Sequence, residues 1–427
     1  MEKKRNKLFI FLCFASMASI VMLTLSPIPT YAAPAKELQI GSIYGMTGPW
    51  ISYTIPFGKV WKIQAKRINS QGGITVGGEK YLIKLVEIDA KGTPEGGRSA
   101  AERLISLHGA KFILGPGMSS SALAALPLMM ENKVLNITTV TTQKVLSSTS
   151  KYSFKAHFPG SLVSRGYPEF LAERYPNIRK MALVMPDDDA GRSEAVETKK
   201  GVAKVTQKEP GRIEIVYEGY YPKGSADHTP LLTAALAKKP DIIHLDAGAP
   251  DEMALIVKEA RDLAYKGWFI SGGGFTLSRL NEIASKDYAY NIIHQAFDIE
   301  RPTPVQIAKE QEAKWKWFVD MFGNWGWLAK AWKTEYNEDM PEAVIYAVDG
   351  LPTMVQGILA ANSFDTDKVV EALEGMRYIP TYFGMGTWMG KETWGINHQI
   401  RRPIPLYEIR YGKQFPVDPP VIPPLYP

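Results

Sequence analysis

Two hydroxyl-rich clusters carry the clearest chemistry in this chain. Ser119, Ser120 and Ser121 close the stretch Gly115–Ser121, and Thr138, Thr139, Thr141 and Thr142 flank Val140. Glycine lets backbone approach a ligand closely, and a serine at a helix start can cap it. The first N–H groups of a helix, with its dipole, favour an anion. Each cluster follows a short apolar run, Lys111–Leu114 and Val134–Ile137. In a parallel sheet such strand ends are neighbours, so together the clusters offer a cradle for a carboxylate. The alternative, on local chemistry alone, is that the serines only cap and the threonines only turn. Asp187–Asp189 also follows an apolar run, but a hard-cation loop needs further oxygen ligands at set spacing and none follow. The six histidines show no metal-binding spacing. No phosphate loop and no G-x-S-x-G is present, and the one cysteine is Cys13. These absences point to a binding protein without a cofactor or metal, not an enzyme.

The elements that must position these clusters alternate along the chain. Apolar runs at Leu38–Ile43, Tyr81–Ile88, Lys111–Leu114 and Val134–Ile137 alternate with helical spacing over Phe57–Asn69, Glu95–Leu107 and Ser119–Asn132. The pattern restarts with strands at Met181–Met185, Arg212–Tyr217, Asp241–Leu245 and Trp268–Ser271. Helices are expected near Ser193–Val205, Pro230–Ala237 and Pro250–Leu263. Such alternation predicts an α/β fold with parallel sheets flanked by helices, in two related lobes. Ligands bind outside the carboxyl ends of such strands, so two facing lobes share one cleft. Gln306–Glu335 differs, with five of the ten tryptophans. It predicts an amphipathic helical hairpin packed on a lobe, or else a partner-docking surface or a cap over the cleft. The proline-rich end, Pro416–Pro427, is expected to be extended.

The chain has 427 residues, 45% hydrophobic and 22% charged, enough for two domains of ordinary globular composition. Its first 35 residues stand apart. Lys3, Lys4, Arg5 and Lys7 precede the apolar run Leu8–Leu25, then Pro27, Pro29 and small residues at Ala32, Ala33 and Ala35. This is the layout of a secretory signal peptide, cleaved between Ala32 and Lys36. A retained anchor is the alternative. Without these residues the chain holds 46 basic and 43 acidic side chains, too balanced to argue for nucleic acid. No later stretch is expected to be long and apolar enough to span a bilayer.

Several stretches in their order and spacing resemble one family, the branched-chain amino acid type of substrate-binding protein from ABC transporters. They are Ile40–Pro49, Arg67–Ile74, Ile113–Ser121, Asp187–Gly191, Pro240–Ile243 and Ala343–Asp349. The resemblance runs from about Leu38 to Tyr411. It implies the type I periplasmic binding protein fold, two Rossmann-like lobes joined by three crossover strands. Those strands are expected at Tyr152–Phe158, Asn291–Asp298 and Pro403–Ile409. The lobes are then residues 36–156 with 297–385, and 157–296 with 386–427. It also implies a periplasmic monomer that closes on a ligand and docks on a permease.

In such proteins the first lobe holds the ligand carboxylate. The matching positions here are Ser119, Ser120 and Ser121 with Val140, Thr141 and Thr142. Tyr53 matches an aromatic position of the cleft, and Trp50 adds a stacking face. The second lobe departs from the family pattern. Ala190 and Gly248 stand where aromatic residues are usual, and Gly273 where an acidic residue grips the ligand ammonium. A desolvated ammonium needs a strong acceptor. Asp246 is a replacement for it near the end of its strand. The expectation is a carboxylate bulkier than leucine or lacking an amino group, such as an aromatic acid, in an enlarged cleft. A hydrophobic amino acid is the alternative ligand. A ligand sensor that signals to a partner protein is the alternative function.

Overall fold

The computed structural model describes residues 36–48, 50–157, 160–272, 275–296 and 307–421. Residues 1–35, where a signal peptide is expected, and Gly273 lie outside them. Two sheets organise the fold. The strands in chain order are β1 (Lys36–Tyr44), β2 (Ile74–Val76), β3 (Glu79–Asp89), β4 (Phe112–Leu114), β5 (Leu135–Thr138) and β6 (Ser153–Lys155). There follow β7 (Lys180–Pro186), β8 (Glu214–Tyr221), β9 (Ile242–Leu245), β10 (Trp268–Ser271) and β11 (Ile292–Gln295). Last come β12 (Ile379–Thr381), β13 (Gly384–Met389), β14 (Gln399–Arg401), β15 (Ile404–Arg410) and β16 (Lys413–Val421).

The first sheet runs β12-β13-β14-β6-β5-β4-β1-β3-β2 and the second β16-β15-β11-β10-β9-β7-β8. Each has the expected parallel centre, β1-β4-β5-β6 and β8-β7-β9-β10-β11. Antiparallel strands close both edges of the first sheet and one edge of the second, a feature the alternating pattern did not announce. Strands β4, β5, β9 and β11 are buried along their whole length. Burial on both faces explains why β4 and most of β9 read as apolar runs.

Local chemistry sets the helix limits. Thr93 accepts the Gly96 N–H at 3.0 Å before Pro94, and Gly109 at φ +59° ends that helix at His108. The helix expected from Phe57 begins earlier, at Ile51, with Pro56 inside it. The extra turn is held because Thr54 Oγ1 donates to the Trp50 carbonyl at 2.9 Å. That turn brings Trp50 and Tyr53 to the cleft. A helix over Gly160–Arg174 was not expected from the sequence.

Two sequence expectations are corrected. The second lobe was to begin again at residue 386, but Gly384–Met389 and Gln399–Arg401 are strands of the first sheet. The chain crosses back between Arg401 and Ile404. Arg402 fixes this crossing in the first lobe, its Nε 3.0 Å from Asp349 Oδ2 and its guanidinium 3.5 Å over Phe383. Burial drives the Asp349 carboxyl up to about 6, against the pull of Arg402. The second correction concerns membrane spans. Glu342–Ala361 is long and apolar enough to cross a bilayer, and it lies largely buried inside the protein as a core element. Of the proline-rich end expected to be extended, the part up to Val421 is a strand, Lys413–Val421, paired with β15 at the sheet edge, where proline is tolerated, and residues 422–427 lie outside the described residues.

The tryptophan-rich segment folds as two helices, Glu312–Phe322 and Trp325–Tyr336. Trp325 and Trp332 are buried, and Trp315 and Trp327 pack partly against the main core. Only Trp317 of the five is exposed, at 37%. Arg67 lies 4.3 Å from the Trp327 ring centre. Four of the five thus turn wholly or partly toward the core, as the packed hairpin requires. Trp327→Ala is expected to cost about 1–2 kcal/mol and Trp317→Ala within about 0.5 kcal/mol, both read from urea midpoints.

Candidate functional site: a cleft between the lobes

The helix Ser119–Glu131 starts directly after the strand-end loop of β4. Met118 is its N-cap residue, and no side chain caps its first turn. The expectation that Ser119 or Ser120 caps it is corrected: both serines lie inside the helix. Uncapped first-turn N–H groups suit an anion. β5 lies beside β4, so Val140 and Thr141 meet Ser119 and Ser120 across neighbouring strand ends. The Ser119 hydroxyl accepts the Thr142 N–H at 3.4 Å and ties the two loops together.

The cleft is lined by Trp50, Tyr53, Ser119, Ser120, Val140, Thr141, Ala190, Asp246 and Gly248 from the sequence expectation. Two expected residues are not brought to it. Ser121 turns its hydroxyl to the Thr93 carbonyl at 2.8 Å, and Thr142 is buried with its hydroxyl toward the Lys144 N–H at 3.3 Å. Sequence reasoning missed Glu194, Lys223, Asp188 and Tyr346, which also line the cleft. Glu194 was within reach of it. It stands four residues after Ala190 on the same buried helical face.

The two walls differ in polarity. The first lobe presents hydroxyls, backbone N–H groups and a wall of aromatic rings. Tyr53 lies 6.2 Å from Trp50 and 5.2 Å from Tyr346. The second lobe presents two buried acids. Asp246 is fixed by the N–H groups of Gly272 at 2.6 Å and Ala247 at 2.8 Å. Glu194 accepts a hydrogen bond from Ser164. Burial, then the Asp246 charge, holds the Glu194 carboxyl well above the usual carboxylate range. The same burial and the same two acids push the Tyr53 hydroxyl up. Behind the first wall Lys155 is fully buried and donates to the carbonyls of Thr141 at 3.0 Å and Thr142 at 2.9 Å. Burial brings its ammonium down to about 7.

Gly248 does not enlarge the cleft. A Cβ there would come within 2.6 Å of the Tyr221 hydroxyl and 2.7 Å of Met253, which fill the space from behind. The room left inside is about 50 Å³. The lobes stand closed. Lys144 pairs with Asp189, the Lys223 ammonium lies 4.2 Å over Trp50, and the Leu277 N–H donates to Glu342 at 3.1 Å. The three aspartates are all engaged: Asp187 binds Arg192 at 2.7 Å, Asp188 caps Gly191 and pairs with Lys223, and Asp189 pairs with Lys144. Among the described residues no group of three histidines, cysteines or acids could hold a metal.

Comparison with known proteins gives the same architecture. The periplasmic binding protein family model matches residues 37–414. A Leu/Ile/Val-binding protein of Rhizobium johnstonii is 24% identical over 364 residues, covering 82% of this chain and 87% of that one. The crystal structure of a leucine-binding protein from Thermotoga maritima superposes with a TM-score of 0.72 at 18% identity, covering 90% and 99% of the two chains. A solute-binding protein from Rhodopseudomonas palustris BisB5, solved with 3,4-dihydroxybenzoic acid, gives 0.70 at 20% identity, covering 90% and 96%. With two α/β lobes, a cleft at their strand ends and a match over almost the whole chain, the protein belongs to the periplasmic binding protein family and has its type I fold.

Proposed function

We propose that the protein works outside the cytoplasm, as a monomer, and captures an apolar α-amino acid for delivery to an ABC transporter permease. The observation that carries this reading is the opposite polarity of the two cleft walls. An uncapped helix start with Ser119, Ser120 and Thr141 complements a carboxylate. Glu194 and Asp246 on the facing wall complement an ammonium. Asp246 thus takes the part that the family pattern would give to position 273. The aromatic wall takes the apolar side chain. The leader-like first 35 residues support export, and the names of the relatives support transport of such solutes.

A second reading is an aromatic carboxylate. It is favoured by the raised carboxyl of Glu194, which when protonated donates to a ligand hydroxyl. It is also favoured by the ligand of the Rhodopseudomonas palustris neighbour. Calorimetric titration decides between them, with protein unfolded and refolded to strip carried ligand. Leucine and phenylalanine are expected to bind, and benzoate and 3,4-dihydroxybenzoate to bind at least about 30-fold more weakly. Tight binding of the benzoates with none of the amino acids would overturn the first reading for the second.

A further inference from the structure

A second cavity of about 350 Å³ adjoins the cleft. The two spaces share Trp50 and Lys223 as common wall residues. On the far side this chamber is bounded by Ala249, Leu255 and Ile283. Leu255 sits on the helix Pro250–Asp262, half-buried, and joins none of the core clusters. Its apolar face is therefore turned to the chamber and not to the core. Lys223, Ser225, Asp251 and the buried Glu252 add polar groups to its lining.

The volumes decide what each space can hold. A cavity of about 150 Å³ is enough for a benzene ring. The closed cleft, at about 50 Å³, takes a small polar head but no ring beside it. The chamber, at about 350 Å³, takes a ring or a long alkyl chain. The two residues common to both walls touch, the Lys223 ammonium lying 4.2 Å over the Trp50 ring. Lys223 is also held by Asp188 on its own lobe, so it can stay paired if it leaves the ring.

We infer that the ligand spans both spaces, its carboxylate-bearing head in the cleft and an extended apolar tail passing Trp50 and Lys223 into the outer chamber. This rests on the cleft being the ligand site. The ligand class is then an amino acid or other carboxylate with a long apolar substituent, and the chamber sets the preference for length.

The test is calorimetric titration of the full-length mature protein with two probe series. These are α-amino acids with unbranched alkyl side chains of two to eight carbons, and the unbranched carboxylates of matching length. In the wild type the affinity for the series that binds rises about three- to fourfold per methylene once the chain passes Trp50. In Leu255→Trp, which fills the chamber, that rise disappears while the shortest probe binds as in the wild type. Leu255→Glu, which keeps the volume but adds a charge, is the second variant and loses the rise as well. Affinity independent of chain length in the wild type, with the short probes bound, overturns the inference and leaves the cleft reading intact. Equal weakening of short and long probes by both variants also overturns it. No binding of any probe in either series overturns the inference together with the cleft reading.

Discussion

Glu194→Gln is expected to lower the affinity for leucine or phenylalanine about 30-fold or more and to leave a plain aromatic carboxylate within about threefold. The argument is one of desolvation. A bound ammonium leaves water, and in the closed cleft its buried acidic neighbours on the facing wall are Glu194 and Asp246, while Asp188 is engaged by Lys223. Removing one partner of a buried, hydrogen-bonded charge pair costs about 2–5 kcal/mol, and 1.4 kcal/mol is tenfold in affinity. Gln keeps the shape and still accepts the Ser164 hydroxyl, so the fold is retained. Asp246→Asn acts in the same direction but is less clean, because Asp246 accepts two backbone N–H groups and an amide oxygen can serve only one of them.

The same residue gives a stability signature without ligand. Glu194 has its folded-state value raised above the ordinary 4.5, by burial first and by Asp246 second. The unfolded chain therefore loses its proton first as pH rises, and stability falls from about pH 4.5 upward. Glu194→Gln removes that slope. The variant is expected to be more stable than the wild type at neutral pH, with the gap closing as pH falls toward 4.5. A bound ammonium also draws the Glu194 proton off. Amino acid titrations in buffers of different ionisation enthalpy should then give different heats, while those of the Gln variant coincide. Equal amino acid affinity in wild type and variant would sink the zwitterion reading.

What the sequence made legible follows from where the physics is local. Ser119, Ser120, Val140 and Thr141 were readable because strand-end loops in a parallel sheet have little choice of neighbour. Ser121 and Thr142 were misplaced because one residue along a helix or a turn rotates a side chain out of the cleft. Gly248 was read as missing volume, whereas the space is filled by Tyr221 from another strand. That is a packing fact no local pattern contains. Lys155 was hidden for a similar reason. A lone lysine in a crossover strand reads as solvated, and only the assembled sheets show it buried behind the Thr141–Thr142 loop. The crossing strand was readable near Pro403, but the second lobe was started too early, at residue 386, because β14 pairs with β6, far away in sequence, and holds β13 in the first sheet.

Lys155→Met, behind the cleft wall, is expected to change the pH dependence of stability strongly. In the folded protein burial lowers the Lys155 ammonium from the ordinary 10.5 to about 7. Below pH 7 both states hold the proton. Between about 7 and 10.5 the unfolded chain holds it and the folded one does not, so the unfolded state binds more protons and stability rises with pH. The full rise across this window is about 5 kcal/mol, at 1.36 kcal/mol for each pH step. Glu194 is the acid whose charge opposes the shift, and its ionisation reduces the rise. Methionine has no proton to lose, so its curve lacks this term. The difference between wild type and variant, from urea unfolding at pH 6 and pH 10, should therefore move by about 3–5 kcal/mol in favour of the wild type. Ligand binding adds an independent readout. Lys155 holds both carbonyls of the loop whose Thr141 lines the carboxylate wall. Without it those carbonyls lose their buried donor, and carboxylate affinity should fall about tenfold or more at pH 6. A pH-independent stability difference would show that the ammonium is solvated. Unchanged affinity would show that the loop keeps its shape without it.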